Sequence, residues 1–422
     1  MLFESWGASD VGQARKANED AFLLEQELGL LAVADGMGGF QRGDVASQLA
    51  VNVLKEVVSS ERAVIELYRR TPTTSARAAV RAMLEDAFQR ACEEVHHAAV
   101  AITGEGGRMG TTLDVLLIIG RTAFVAHVGD GRIYLQRGRE VHQLTEDHSL
   151  VAEKVREGLM TQEEARRAKF KNVITRALGV FPSVSVDTLH FELDPGDRLL
   201  LCSDGLYRYL GLRELGFTLM GEVTGSTPSE LVGIANQRGG RDNITAVLAL
   251  VGESGQAERF VPATAQMDVL RKCGLFQYCT YRELMRVCQI AEQRDILQGA
   301  ILFRDGDVGR ECYIVVSGRM VIEKHDTMLA TLHPGHYFGE MSFLDHQFRS
   351  ATARALDDAR LLVLRKDAFL QLMKQDSDLA VKLTWQLLRK LSQIVREMNE
   401  QAVAETVNME SLLPAFDLPS GD

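Results

Sequence analysis

The chain has 422 residues, enough for two or more domains with buried cores. Its 47 basic and 58 acidic residues leave a net charge of −11, which argues against a general nucleic-acid surface. The longest apolar run, VLLIIG at 115–120, stops at Arg121, short of a membrane span, and six cysteines form no CxxC pair or zinc-spaced cluster.

With no apolar signal-peptide core at the N-terminus, the expected compartment is a reducing cytoplasm, and no membrane partner is expected. In chain order, strands are predicted at 29–34, 112–119, 122–128, 131–136, 186–193, 197–202 and 244–251. Two amphipathic helices interrupt them. The first carries Ala46, Leu49, Ala50, Val53, Leu54 and Val57 on one face; the second, with Ser75 as its expected cap, carries Val80, Met83, Leu84, Ala87, Phe88, Ala91 and Val95. A polar stretch, 253–266, reads as a linker. Short helices over 267–293, brief glycine-punctuated strands, one long helix at 366–403 and a loose tail at 406–422 follow. Leu387, Leu391, Ile394 and Met398 recur at 4-3-4 spacing, which suits core packing and a homodimer seam equally.

Asp35, Asp130, Asp204 and Asp242 each abut an apolar strand; Gly follows three of them and Asn the fourth. A single Asp-Gly is ordinarily a turn. Four beside nearly continuous apolar runs point instead to carboxylates at the ends of buried strands, where like charges need a cation between them. Hard oxygen donors without His or Cys suit Mg²⁺ or Mn²⁺. SDVGQARKANEDAF (9–22) adds Arg15, a fork suited to an anionic oxygen cluster, with Glu19 and Asp20 close behind.

In this order R-x-x-N-E-D, D-G-M-G-G, G-T-T, V-G-D-G-R, L-T-x-D-H, I-T-R-A-L-G, C-S-D-G-L and D-N-I-T span about 1–252. The series resembles the metal-dependent serine/threonine protein phosphatases of the PPM, or type 2C, family. The resemblance implies an α+β fold, a β-sandwich flanked by helix pairs, acting on phosphorylated proteins. It implies that Asp35 bridges two Mn²⁺ or Mg²⁺ ions with the Gly36 carbonyl completing one shell. Asp204 and Asp242 would bind the first ion, and Asp130 a third one. Arg15 would clamp phosphate and Asp20 would order water, in a two-metal hydrolysis needing no Ser, Cys or His nucleophile. His127 and His148 lie near motifs without an assigned role. Two positions depart from the family pattern: Met37 stands where eukaryotic relatives carry His, and Gly131 stands where Ser is usual. Residues 153–172 match the flap region of such enzymes, or read plainly as a solvated helix pair.

In HYFGEMSFLDHQFRSATARAL (336–356), a helical start at Gly339 and Glu340 precedes Arg349 by nine positions from the Glu. Exposed helix N–H groups plus an arginine form an anion cradle, and a glutamate accepts from sugar hydroxyls. The stretch resembles the phosphate-binding cassette of cyclic nucleotide-binding domains, over about 267–405. That implies a small jelly-roll-like β-barrel with flanking helices, Glu340 on a ribose hydroxyl, and Arg349 and Ser350 on the phosphate of cAMP or cGMP, with cAMP favoured. Phe348 stands where Pro is common. Two other readings compete: a scaffold whose phosphatase fold only binds partners, and an active phosphatase with a protein-docking C-terminal domain. The intact Asp35, Asp204 and Asp242 favour an enzyme.

Overall fold

A computed structural model describes residues 3–37, 42–103, 109–252, 263–325, 327–341 and 348–412, with side chains omitted at 263, 264, 394, 397 and 401–412. The chain divides into two compact units, 1–267 and 268–422.

In the first unit, one sheet orders β1 (Phe3–Asp10), β11 (Ile244–Val251), β10 (Arg198–Cys202), β7 (Arg132–Arg137) and β8 (Glu140–Gln143). The other orders β2 (Asp20–Glu25), β3 (Leu30–Met37), β5 (Leu113–Ile119), β6 (Thr122–Val128) and β9 (Asp187–Glu192), with β4 (Gly110–Thr111) beside β3. Neighbouring strands are antiparallel throughout. Side chains alternate across each strand, so both faces of the central strands are buried. On β3, Leu30, Ala32 and Ala34 join the core under helices α1 (Gly43–Ser60), α2 (Arg62–Arg70) and α3 (Thr74–Thr103), while Leu31 and Val33 are buried on the opposite face. On the first sheet, Leu200 and Cys202 pack beneath α6 (Asp204–Tyr207), α7 (Leu212–Met220) and α8 (Thr227–Gln237). Residues 153–172 include the end of one short helix, α4 (Leu150–Arg156), and the whole of another, α5 (Gln162–Arg167); α4 buries no residue.

The cap of α3 differs from expectation: the Ala76 N–H donates to the Thr73 hydroxyl at 3.2 Å, so Thr73 rather than Ser75 takes that role. Strands β1, β2, β4 and β8 and helices α2, α6, α7 and α8 escaped the sequence reading; β1, β8 and α2 hold too few apolar residues for a clear period.

In the second unit, α9 (Ala263–Lys272) carries the unit boundary and α10 (Tyr281–Ile290) follows a 3-10 turn, Gly274–Phe276. Eight short strands come next: β12 (Ala291–Ile296), β13 (Ile301–Phe303), β14 (Glu311–Ser317), β15 (Met320–Lys324), β16 (Thr327–Leu332), β17 (Tyr337–Phe338), β18 (Thr352–Ala355) and β19 (Ala359–Arg365). They form two four-stranded antiparallel sheets, β12-β19-β14-β17 and β13-β18-β15-β16, around a core of Tyr313, Val315, Met320, Phe338, Ala353 and Leu361. The arrangement is barrel-like, but among the described residues no strand pairing closes it into a barrel.

The single helix expected at 366–403 is two, α11 (Lys366–Gln375) and α12 (Ser377–Leu412), because Asp376 accepts from the Leu379 N–H at 3.0 Å and starts a new helix. Lys382 ties α12 to the capping residue Glu283 of α10 at 2.8 Å. Leu387 is buried in this unit while Leu391 and Met398 are exposed, so these three residues of the 4-3-4 pattern do not share one environment; the side chain of Ile394 lies outside the described residues. Of the tail expected at 406–422, residues 406–412 continue α12, and 413–422 lie outside the described residues, as do 253–262 of the expected linker.

Candidate active site

Every strand that carries an expected site residue brings it to the same end of the sandwich. Asp20 opens β2 and pairs in register with Asp35 near the end of β3. Asp204 follows β10, Asp242 precedes β11, and Asp130 sits in the turn from β6 to β7. Chain reversal at each strand end is what gathers residues more than two hundred positions apart.

Asp20 joins the two sheets. Its Oδ2 accepts from the Ser203 hydroxyl at 2.8 Å and the Thr245 hydroxyl at 2.6 Å, both from the opposite sheet. Its Oδ1 is buried with no partner among the described residues, as is Oδ1 of Asp204. Asp35 is held through its backbone: its N–H donates to the Thr112 hydroxyl at 2.9 Å, and its carbonyl accepts from the Thr112 N–H at 2.9 Å and the Thr111 hydroxyl at 3.0 Å. That leaves the Asp35 carboxylate to the cluster. Gly36 packs against Gly43, where an added Cβ would lie 2.1 Å from the Gly43 carbonyl oxygen, so only glycine lets the β3 end and the α1 start meet.

The electrostatics follow from this gathering. Burial first, then Asp20, Asp204 and the other acids, push the Asp35 carboxyl well above its usual range. Burial raises Asp20 to about 7 and Asp130 to about 8, with neighbouring aspartates adding to both. Asp204 rises to about 6, with burial the largest cause and Arg208 opposing it. The adjacent positive charges are Arg208, paired with Asp204, and the half-exposed Arg15, whose Nη2 lies 2.8 Å from Asp242 Oδ1. Among the described residues, no three acidic, His or Cys groups are already drawn in around one point for an ion. The donor set nevertheless fits a hard divalent cation: buried carboxylate oxygens, two of them without a partner, in mutual repulsion.

Asn243, Ser203, Thr245 and Arg208 were not singled out from the sequence, although the first three stand inside D-N-I-T and C-S-D-G-L. Asn243 donates to the carbonyls of Val11 and Ala17 at 2.9 Å each and accepts from the Glu19 N–H at 2.9 Å, so one amide fixes the loop that presents Arg15. Gly131 also gains a local reason. A Cβ there would lie 1.8 Å from Asp114 Oδ2, a buried carboxylate whose other oxygen lies 2.7 Å from His127 Nδ1. His127 spends its second nitrogen on the Glu146 carbonyl, and His148 Nδ1 accepts from the Gly129 N–H, so both rings brace the Asp130 turn.

In the second unit, Arg349 is buried, and its guanidinium lies 4.1 Å from the Phe303 ring centre. It donates to the carbonyls of Gly339 at 3.0 Å and Glu311 at 2.9 Å. Glu340 pairs with Lys390 of α12 at 2.6 Å. Ser350 is exposed, and its carbonyl accepts from Lys324. Residues 342–347, the middle of the expected cassette, lie outside the described residues.

Comparison with known proteins accords with this geometry. The family described as protein phosphatase 2C matches residues 12–230, and the cyclic nucleotide-binding domain matches 293–376. Protein phosphatase PhpP of Streptococcus pneumoniae is 36% identical over 249 residues, 58% of this chain and 96% of that protein. The Streptococcus agalactiae serine/threonine phosphatase structure matches with a TM-score of 0.52 at 34% identity, covering 59% of this chain and 100% of that one. The catalytic domain of serine/threonine protein phosphatase PstP, solved with two manganese ions, matches with a TM-score of 0.51 at 32% identity, covering 60% and 99%. No helix among the described residues is long and apolar enough to cross a membrane. The chain belongs to the protein phosphatase 2C family and is a protein-serine/threonine phosphatase, with a cyclic nucleotide-binding domain in its C-terminal half.

Proposed function

We propose that this phosphatase works with Mn²⁺ or Mg²⁺ held by Asp35, the Gly36 carbonyl, Asp204 and Asp242, with Asp130 toward a third ion, and that a cyclic nucleotide in the second unit sets its activity. The observation that carries the metal reading is the set of gathered carboxylates that push one another's pKa upward, with two buried oxygens, Oδ1 of Asp20 and of Asp204, left without partners among the described residues. When bound, the ions supply Lewis acidity and lower the pKa of water. The chain's own groups do the rest. Arg15, at the exposed rim, offers a planar fork to the phosphate of a phosphoserine or phosphothreonine substrate. Asp20, fixed by Ser203 and Thr245, orients water through its remaining oxygen. The carbonyl of Asp130 is tied to the Tyr207 hydroxyl at 2.9 Å, which steadies that turn.

In the second unit, Arg349 and Ser350 would take the cyclic phosphate and Glu340 a ribose hydroxyl, with cAMP ahead of cGMP. A ligand must compete there with two carbonyls and Lys390, so occupancy changes contacts inside the unit, as a sensor requires. The setting would be cytoplasmic signal transduction. A homodimer through α12 would use its exposed face, on which Leu391 and Met398 lie, rather than Leu387.

The test is a phosphatase assay on phosphothreonine peptides with Mn²⁺, with and without each nucleotide. Activity should vanish with chelator and change roughly 5- to 100-fold with cAMP or cGMP. Arg349→Ala should lose the response and keep basal hydrolysis. Undiminished activity in excess chelator would overturn the metal reading, and the absence of any nucleotide binding to active protein would overturn the regulatory one.

A further inference from the structure

Helix α6 starts at Asp204, and Arg208 follows one turn later, its N–H donating to the Asp204 carbonyl at 3.1 Å. That spacing puts both side chains on the same face. Arg208 Nη2 forms an ion pair with Asp204 Oδ2, and Nη1 lies 3.9 Å from Asp242 Oδ2. The preceding residue, Tyr207, donates its hydroxyl to the Asp130 carbonyl, so the end of α6 adjoins three of the clustered acids. The Arg208 side chain is 29% exposed, which seats its guanidinium against those acids rather than in open water. Burial raises Asp130 and Asp204, and Arg208 is the positive charge that most opposes the rise at both, ahead of Arg15 at Asp204.

An ion pair one helical turn apart is ordinarily a surface feature of little consequence. This one differs, because Asp204 is buried and belongs, with Asp242, to the set proposed to hold the first ion. Between them, Arg208 and Arg15 reach both oxygens of Asp242 and one of Asp204. Of these four oxygens, only Asp204 Oδ1 is without a partner among the described residues. A guanidinium on such oxygens repels a second cation brought to them, and its tether keeps it always at hand. We propose that Arg208 is a tethered cation that competes with divalent ions for Asp204 and Asp242, and so sets how much ion the enzyme needs. The inference rests on the metal reading above. It gives Arg208 a role apart from that of Arg15, which sits half exposed at the rim and offers its fork to the substrate phosphate.

Calorimetric titration of the full-length protein with Mn²⁺ tests this, on the wild type and on Arg208→Gln, Arg208→Met and Arg208→Lys. The two uncharged variants should bind Mn²⁺ roughly tenfold tighter or more. Arg208→Lys keeps the charge and should stay close to wild type. Melting curves show that the variants are folded and supply a second readout. In chelator, Arg208→Gln should melt lower than wild type, having lost a counter-charge to the acids, and Mn²⁺ should raise its melting temperature by more. A pair that only braced Asp204 would give the opposite sign, since loosening a metal ligand weakens metal binding. Weaker or unchanged Mn²⁺ affinity in both uncharged variants, or a tightening in Arg208→Lys as large as theirs, would overturn the proposal and leave the metal reading standing. Wild-type protein that binds no Mn²⁺ would overturn both.

Discussion

The two units treat charge in opposite ways. At the end of the sandwich, Asp130 and Asp204 are buried, Asp20 and Asp35 are half-buried, and the four carboxyl groups push one another toward the neutral form, with Arg15 and Arg208 as adjacent counter-charges. In the second unit, Glu340 and Arg349 are already matched, one by Lys390 and the other by two carbonyls and an aromatic ring. A site of the first kind gains stability from its ligand. A site of the second kind must exchange internal contacts for ligand contacts, which lowers affinity and links binding to movement of those contacts.

The largest expected effect attacks the first half of this contrast. Asp35→Asn removes a charge that the cluster needs to hold a cation, and turnover should fall at least on the order of 100-fold, beyond what outer partners of a metal site usually cost. Steady-state kinetics at saturating Mn²⁺ would check it; near-normal turnover would mean that Asp35 does not hold an ion. Arg15→Ala should act more weakly, because Arg15 is half exposed and touches the ground-state phosphate. We expect KM for a phosphopeptide to rise about tenfold with a smaller fall in kcat.

Gly131→Ser sharpens the contrast by testing how tightly the acidic end is packed. Its side chain would meet Asp114 Oδ2, so stability should drop by about 1–3 kcal/mol. In denaturant titrations the loss should be less than additive with Asp114→Ala; strict additivity would show that the two positions do not interact.

Protonation offers a fourth approach. Burial raises Asp20, Asp204 and Asp130 to about 7, 6 and 8, above the unfolded carboxylate value near 4. The folded, metal-free protein therefore binds more protons than the unfolded chain between those limits, and its stability falls as pH rises from about 4 to 8. Melting temperatures in chelator should decline over that window, and added Mn²⁺ should raise them more at pH 8 than at pH 5.5. A flat or rising profile would contradict mutual repulsion.

The smallest effect belongs to the second unit. Lys390→Met keeps the chain against Tyr337 and removes the partner of Glu340, so cyclic nucleotide should bind about 2- to 5-fold tighter, the worth of one partly exposed ion pair. Weaker binding would show that Glu340 has to be held by Lys390 to serve the ligand.

The sequence by itself determined the buried strands and the aspartates at their ends, since apolar runs broken by Asp-Gly dictate where a strand must leave the core. It also brought Gly339, Glu340 and Arg349 to notice, because they fall within eleven consecutive positions of one recognisable pattern. What it did not reveal were residues whose role depends on a distant partner. Ser203 and Thr245 are ordinary polar residues until the two sheets face each other and deliver them to Asp20. Asn243 needs the loop at Val11–Ala17 beside it before its amide has anything to clamp. Leu387 and Leu391 repeat at helical spacing, yet only packing on one side of α12 buried the first and left the second exposed. Local pattern fixes which groups can be buried; the antiparallel stacking of strands, a long-range arrangement, decides which groups meet there.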